Sequence, residues 1–232
     1  MALDKSVAEL MNKQINEELY SAYLYLTFAD YYEYRGLKGF ANWYMVQVQE
    51  EVGHAKILRR YLLDNDVQVK MLAIAEPDKV FTDDLAPLLA GQEHERYITE
   101  CINRCYAAAA DVRDFRTMQL LDWFVKEQGE EETNASDMVK NMQLFGSDPK
   151  GLYDLDREYQ ARVCVATTMP RSQARGQSRA RLCARREDGR ARPRLWLARG
   201  RGSVYSKQLR VSKAGPTGPH LSAPHGSCLV RR

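Results

Sequence analysis

The sequence has no apolar run approaching the roughly 18 residues that a membrane-crossing helix needs. It has no Cys-x-x-Cys pair, and its five cysteines (Cys101, Cys105, Cys164, Cys183 and Cys228) are odd in number. Both facts argue against a disulfide framework and against a zinc ribbon. Cys101 and Cys105, four apart on one helix face, are expected to be ordinary reduced residues. Met1 to Ala8 carries both signs of charge and lacks the apolar stretch of a secretory leader. A cytoplasmic protein with no membrane segment is expected.

What the sequence does contain is divided by charge. Residues 164–232 carry 14 Arg and 2 Lys against Glu187 and Asp188, a net of +14. The total is only +3, so residues 1–163 hold a net of −11. The tail is rich in Arg, Gly, Ser, Pro and Ala and shows no sustained apolar period. It is expected to be a disordered, low-complexity segment, 164–232, behind a folded domain, 1–163.

Within 1–163 apolar residues recur at spacings of three and four. Val7, Leu10, Met11, Ile15, Leu19, Ala22, Leu26 and Ala29 predict a helix over 4–34, stopped near Gly36. Phe40, Trp43, Tyr44, Val48, Ile57, Leu58 and Leu62 predict a second over about 37–63. A third is expected from the capping cluster Thr82-Asp83-Asp84 to about Ala110, a fourth from Asp114 to Leu144, and a short fifth over about 150–163. A connector of roughly 18 residues reaches about 60 Å when extended, whereas a helix of about 27 residues is about 40 Å long. Residues 64–82 can therefore cross the whole bundle and leave helices two and three parallel. The fold class expected is all-α: a four-helix bundle with one long crossover, a short fifth helix and the basic tail.

The chemistry sits at mid-height. Glu51-Val52-Gly53-His54 puts a carboxylate and an imidazole three apart on one face of helix two, a donor pair suited to iron. Glu18, Glu95, and Gln128 with Glu131 lie mid-way along helices one, three and four. In an antiparallel bundle these mid-points share one level. Several buried carboxylates at one level would repel one another, and two divalent cations remove that cost. Di-iron bundles use this arrangement, with a Glu from each of two helices and a Glu-x-x-His from the others. Here helix four offers Gln128-x-x-Glu131. Tyr25, seven after Glu18, shares that face and is placed to hydrogen-bond a ligand or to donate an electron. His94 is expected at the surface and Glu132 on a solvated face.

The segments Asn16-Glu17-Glu18-Leu19-Tyr20, Gln49-Glu50-Glu51-Val52-Gly53-His54, His94-Glu95, Trp123 and Glu127-Gln128-Gly129-Glu130-Glu131-Glu132 resemble the bacterial non-haem ferritins. Gly151 to Glu158 looks like that family's short fifth helix. The resemblance implies a ferritin-like fold and two irons per subunit. The first iron would be held by Glu18, Glu51 and His54, the second by Glu51, Glu95 and Glu131 with Gln128 adjacent. It also implies a third, weaker position at Glu50, Glu127 and Glu130. The implied activity is a ferroxidase that oxidises Fe(II) with oxygen or hydrogen peroxide and deposits ferric mineral inside a hollow homo-oligomeric shell of 24 subunits. Bacterioferritins carry a haem-ligating Met where this chain has Val52, so no haem is expected. Two other readings follow from the residues. One is a di-iron peroxidase or oxidase that does not mineralise. The other is a nucleic-acid-associated protein whose Arg-rich tail neutralises phosphates, with Trp196 and Tyr205 as stacking residues.

Overall fold

Five helices follow one another in the described residues, 3–164, of the computed structural model. They are α1 (Lys5–Arg35), α2 (Lys38–Asp64), α3 (Ala86–Asp111), α4 (Phe115–Phe145) and α5 (Pro149–Tyr159). The tail expectation concerns residues that lie outside this range, apart from Cys164. None of the helices is long and apolar enough to cross a membrane.

Local chemistry sets each boundary. Asp4 caps α1 by accepting from the Ser6 N–H at 2.8 Å. Gly36, at φ 81°, ends it in the left-handed conformation that glycine adopts without strain. Leu37 N–H then closes back on the Tyr32 carbonyl at 2.9 Å. Asp114 and Asp148 cap α4 and α5 through Thr117 N–H and Gly151 N–H. α3 begins at Ala86, later than the Thr82 cluster suggested. Asp83 Oδ1 accepts from Leu85 N–H at 3.0 Å and Ala86 N–H at 2.9 Å, so that cluster forms a capping turn ahead of the helix.

The segment between α2 and α3 lies along α1. Near the start of α1, Asn12 and Lys70 exchange hydrogen bonds of 2.9 and 2.8 Å. At its far end, Arg35 and Tyr31 bond the Asp84 carboxylate. Asn12 to Arg35 spans about 35 Å of helix at 1.5 Å per residue. α3 therefore starts beside the end of α1 and runs parallel to α2, the crossover topology that its length permits.

α5 and α2 cap each other. Asp156 Oδ1 accepts from Gly39 N–H at 2.7 Å and Phe40 N–H at 3.1 Å, at a helix start that has no side-chain cap of its own. Asn42 Nδ2 in turn donates to the carbonyls of Tyr159 at 3.3 Å and Arg162 at 2.9 Å. α5 stops at Tyr159, short of the expected 163, and Asn42 bonds the carbonyl of its last residue. The close approach requires glycine: a Cβ on residue 39 would lie 1.6 Å from the Asp156 carbonyl oxygen. Gly39→Ala is expected to unseat α5 and cost about 3 kcal/mol, read as a lower urea midpoint with an unchanged far-ultraviolet spectrum.

The interior has two apolar cores with a polar layer between them. One gathers Val7, Met11, Leu58, Leu62, Ile102 and Leu121. The other gathers Phe28, Tyr32, Phe40, Leu88, Met142 and Leu155. Cys101 and Cys105 are buried free thiols on α3. The layer between the cores holds the functional side chains.

Candidate metal centre

Glu18 on α1, Glu51 and His54 on α2, Glu95 on α3, and Gln128 and Glu131 on α4 are all buried, each at most 5% exposed. Helical spacing explains the selection. Residues 51 and 54, and 128 and 131, are one turn apart and point the same way from their helices. The long antiparallel helices bring these mid-points to one level.

Glu18, Glu51 and His54 form the tightest group. One ligand atom from each lies within 4.8 Å of the others, the one such group of three found among the described residues. His54 Nδ1 is 3.1 Å from Glu51 Oε2 and 3.9 Å from Glu18 Oε2. Gln14 Nε2 donates to Glu18 Oε1 at 3.1 Å, while Glu18 Oε2 and His54 Nε2 have no hydrogen-bond partner. A buried carboxylate oxygen without a donor is costly, and a cation satisfies it. Carboxylate oxygen with imidazole nitrogen is a donor set for iron and similar divalent ions.

The other carboxylates are oriented by amide and phenol donors. Tyr25 Oη donates to Glu95 Oε1. Gln128 Nε2 donates to Glu95 Oε2 at 3.2 Å, and Gln47 Nε2 to Glu131 Oε2 at 2.8 Å. A small cavity opens beside them, walled by Tyr25, Trp43, Tyr44, Gln47, Glu95 and Glu131.

The electrostatics follow from burial and crowding. Desolvation pushes Glu18 and Glu51 well above the usual carboxylate range, and the neighbouring carboxylates push further. Glu95 is raised to about 8, first by burial and then by the Glu131 charge. Glu131 is raised by burial, with the Gln47 amide and His54 acting against it. Burial also raises Tyr25, so it remains a neutral phenol and a donor.

Glu50, Glu127 and Glu130 are not drawn together in this way. Glu50 pairs with Arg162 at 2.6 Å. Glu130 is exposed and pairs with Lys126 at 3.0 Å. Two surface expectations are corrected. His94 is buried among the rings of Tyr20, Tyr25 and Tyr97, 2.8 Å from Ser21 Oγ, and burial lowers its pKa to about 4. Glu132 is half-buried and accepts from Thr99 Oγ1 at 2.5 Å. Gln14 and Gln47 were not picked out from the sequence. The available signal was their position, four residues before Glu18 and Glu51 and so on the same faces.

Residues 8–145 match the ferritin-like domain family. The chain is similar to the bacterial non-heme ferritin of Campylobacter jejuni, with 34% identity over 155 residues, 67% of this chain and 93% of that one. It is 28% identical to the bacterial non-heme ferritin of Staphylococcus aureus over 161 residues, 69% of this chain and 97% of that one. Among solved structures, the open-pore ferritin of the hyperthermophilic archaeon Archaeoglobus fulgidus matches with a TM-score of 0.68 and 40% identity, covering 69% of this chain and 98% of the other. A closed form of that archaeon's ferritin, engineered by site-directed mutagenesis, matches with a TM-score of 0.69 and 39% identity, covering 71% and 100%.

Proposed function

The chain belongs to the ferritin family, and from that premise we propose that it oxidises Fe(II) at a paired centre in the bundle core. The ferric product is then stored inside a cytoplasmic homo-oligomeric shell. The observation that carries this reading is the buried Glu18–Glu51–His54 group, whose ligand atoms converge and whose Glu18 Oε2 has no hydrogen-bond partner.

Glu18, Glu51 and His54 would hold one ferrous ion. Glu51, Glu95 and Glu131 would hold the second, with Gln128 adjacent and Glu51 shared. Each bound Fe(II) would give up one electron, and the two electrons with two protons would reduce oxygen to hydrogen peroxide, or hydrogen peroxide to water. The chain's own part is electrostatic and geometric. The raised carboxyls release their protons as cations arrive, and the resulting anionic set favours the more highly charged Fe(III). Gln14, Gln47, Gln128 and Tyr25 aim the carboxylates from outside. Glu50, Glu127 and Glu130 would receive an ion beside the pair.

The test is aerobic Fe(II) oxidation by the full-length chain, with particle size and total iron per chain measured afterwards. Fast oxidation on a large particle holding many irons per chain supports storage. Fast oxidation with two or three irons per chain on a small particle supports the non-mineralising oxidase or peroxidase. Slow oxidation, no faster than iron in buffer, rejects the centre.

Tyr25 offers a finer check. Tyr25→Phe removes the donor that aims Glu95 and leaves the Glu18–Glu51–His54 group untouched. Oxidation is expected to slow roughly tenfold, while the tighter ion binds as before in an anaerobic titration. An unchanged rate would reduce Tyr25 to packing.

A further inference from the structure

Of the three carboxylates assigned above to a position beside the iron pair, Glu50 already has a cation, and it belongs to the chain. Arg162 Nη2 lies 2.6 Å from Glu50 Oε2, with both side chains less than a fifth exposed. Its guanidinium carbon stands 4.0 Å from the centre of the Trp43 ring, and its Nη1 donates to the Trp43 carbonyl at 3.3 Å. The group is held by an ion pair, an aromatic face and a backbone oxygen at once. That is unlike the solvent-exposed Lys126–Glu130 pair, which contributes little.

The placement is built into the fold. Arg162 follows α5 by three residues. α5 is pinned to α2 by Asp156 on the Gly39 and Phe40 amides, and Asn42 grips the Arg162 carbonyl. Trp43 packs edge-on against Tyr159 at 5.2 Å.

We propose that Arg162 is a resident cation at the third position. It neutralises Glu50 while no metal is there, and a metal ion gains Glu50 only by displacing it. This makes Arg162 the residue that sets how weakly the third ion binds. It rests on the reading of Glu50 as a ligand of that ion, and the test separates the two.

The probe is Zn(II), which is redox-silent, titrated into the iron-free full-length protein by calorimetry. Arg162→Gln is expected to tighten the weakest Zn(II) equivalent at least tenfold and leave the two tighter ones unchanged. Arg162→Lys keeps the charge but loses the planar fork and the stacking, so a smaller rise is expected. Adding Glu50→Gln to Arg162→Gln is expected to abolish that equivalent. If Glu50→Gln abolishes it but Arg162→Gln leaves its affinity unchanged or weaker, Arg162 is only a structural clasp and the proposal is overturned. If the double variant keeps the third equivalent, Glu50 is not its ligand, and both the third-position reading and the proposal fall. Should Arg162→Gln not fold, Arg162→Lys decides, and an affinity no higher than the parent's overturns the proposal.

Discussion

Replacing Glu51 and His54 together by alanine is expected to slow Fe(II) oxidation roughly 100-fold or more, beyond the 10- to 100-fold usual for outer partners of a metal site. Glu51 is the one carboxylate assigned to both ions, so its loss weakens each of them. His54 supplies the one nitrogen donor in the group that converges within 4.8 Å. The variant should still fold. Its substitutions lie in the polar layer and leave both apolar cores complete. Removing Glu51 also removes a buried carboxylate whose neighbours repel it, which offsets part of the cavity left behind. The measurement is the initial rate of ferric product formation, with the helical content of the variant as control. A folded variant that oxidises iron at the parent rate would place the chemistry elsewhere on the molecule.

The metal-free protein is expected to lose several kcal/mol of stability between about pH 5 and pH 8, with metal loading restoring it. Glu95 is raised from 4.5 to about 8 in the fold, and Glu18 and Glu51 are raised well above 4.5. A carboxyl with a raised folded value holds its proton more tightly when folded than when unfolded. Its contribution is fully present below the unfolded value and is lost as pH rises through the folded one. Stability therefore falls across the window. At about 2–4 °C per kcal/mol for a domain of this size, the melting temperature of the iron-free protein should drop on the order of 10 °C from pH 5 to pH 8. Zn(II) should raise it more at pH 8 than at pH 5, because the ion then competes with fewer protons. A flat or rising profile for the iron-free protein would mean that these carboxyls are charged and satisfied without metal.

The helices were legible because their signal is local. The apolar period in residues 7–29 marks α1 to within a residue at each end. The reach of the 64–82 segment allows helices two and three to run parallel, and its bonds to both ends of α1 show that it uses that reach. The buried polar layer was legible for a related reason, because each helix carries a polar group at its mid-point. Boundaries set by distant side chains were not legible. α3 yields three residues to the Asp83 turn, and α5 ends at Tyr159, where Asn42 bonds its last carbonyl.

His94 shows the limit more sharply. It adjoins Glu95, so it turns about 100° away from the centre, and sequence spacing then suggests solvent. A bundle helix packs against two neighbours, however, and that direction meets α1, where Ser21 receives it. Gln14 and Gln47 were hidden for a different reason. An amide four residues before a carboxylate is common on any helix, and only burial makes it an orienting donor.

The sequence by itself determined the all-α class, the reach of the connector and the six residues of the central layer, because periodicity and chain length are properties of neighbours along the chain. Only the tertiary structure decided which of the carboxylates in and beside that layer stand alone and which are already partnered. The Glu50–Arg162 pair joins residues 112 apart. It exists because α5 docks on α2, and no pattern within either segment records that docking.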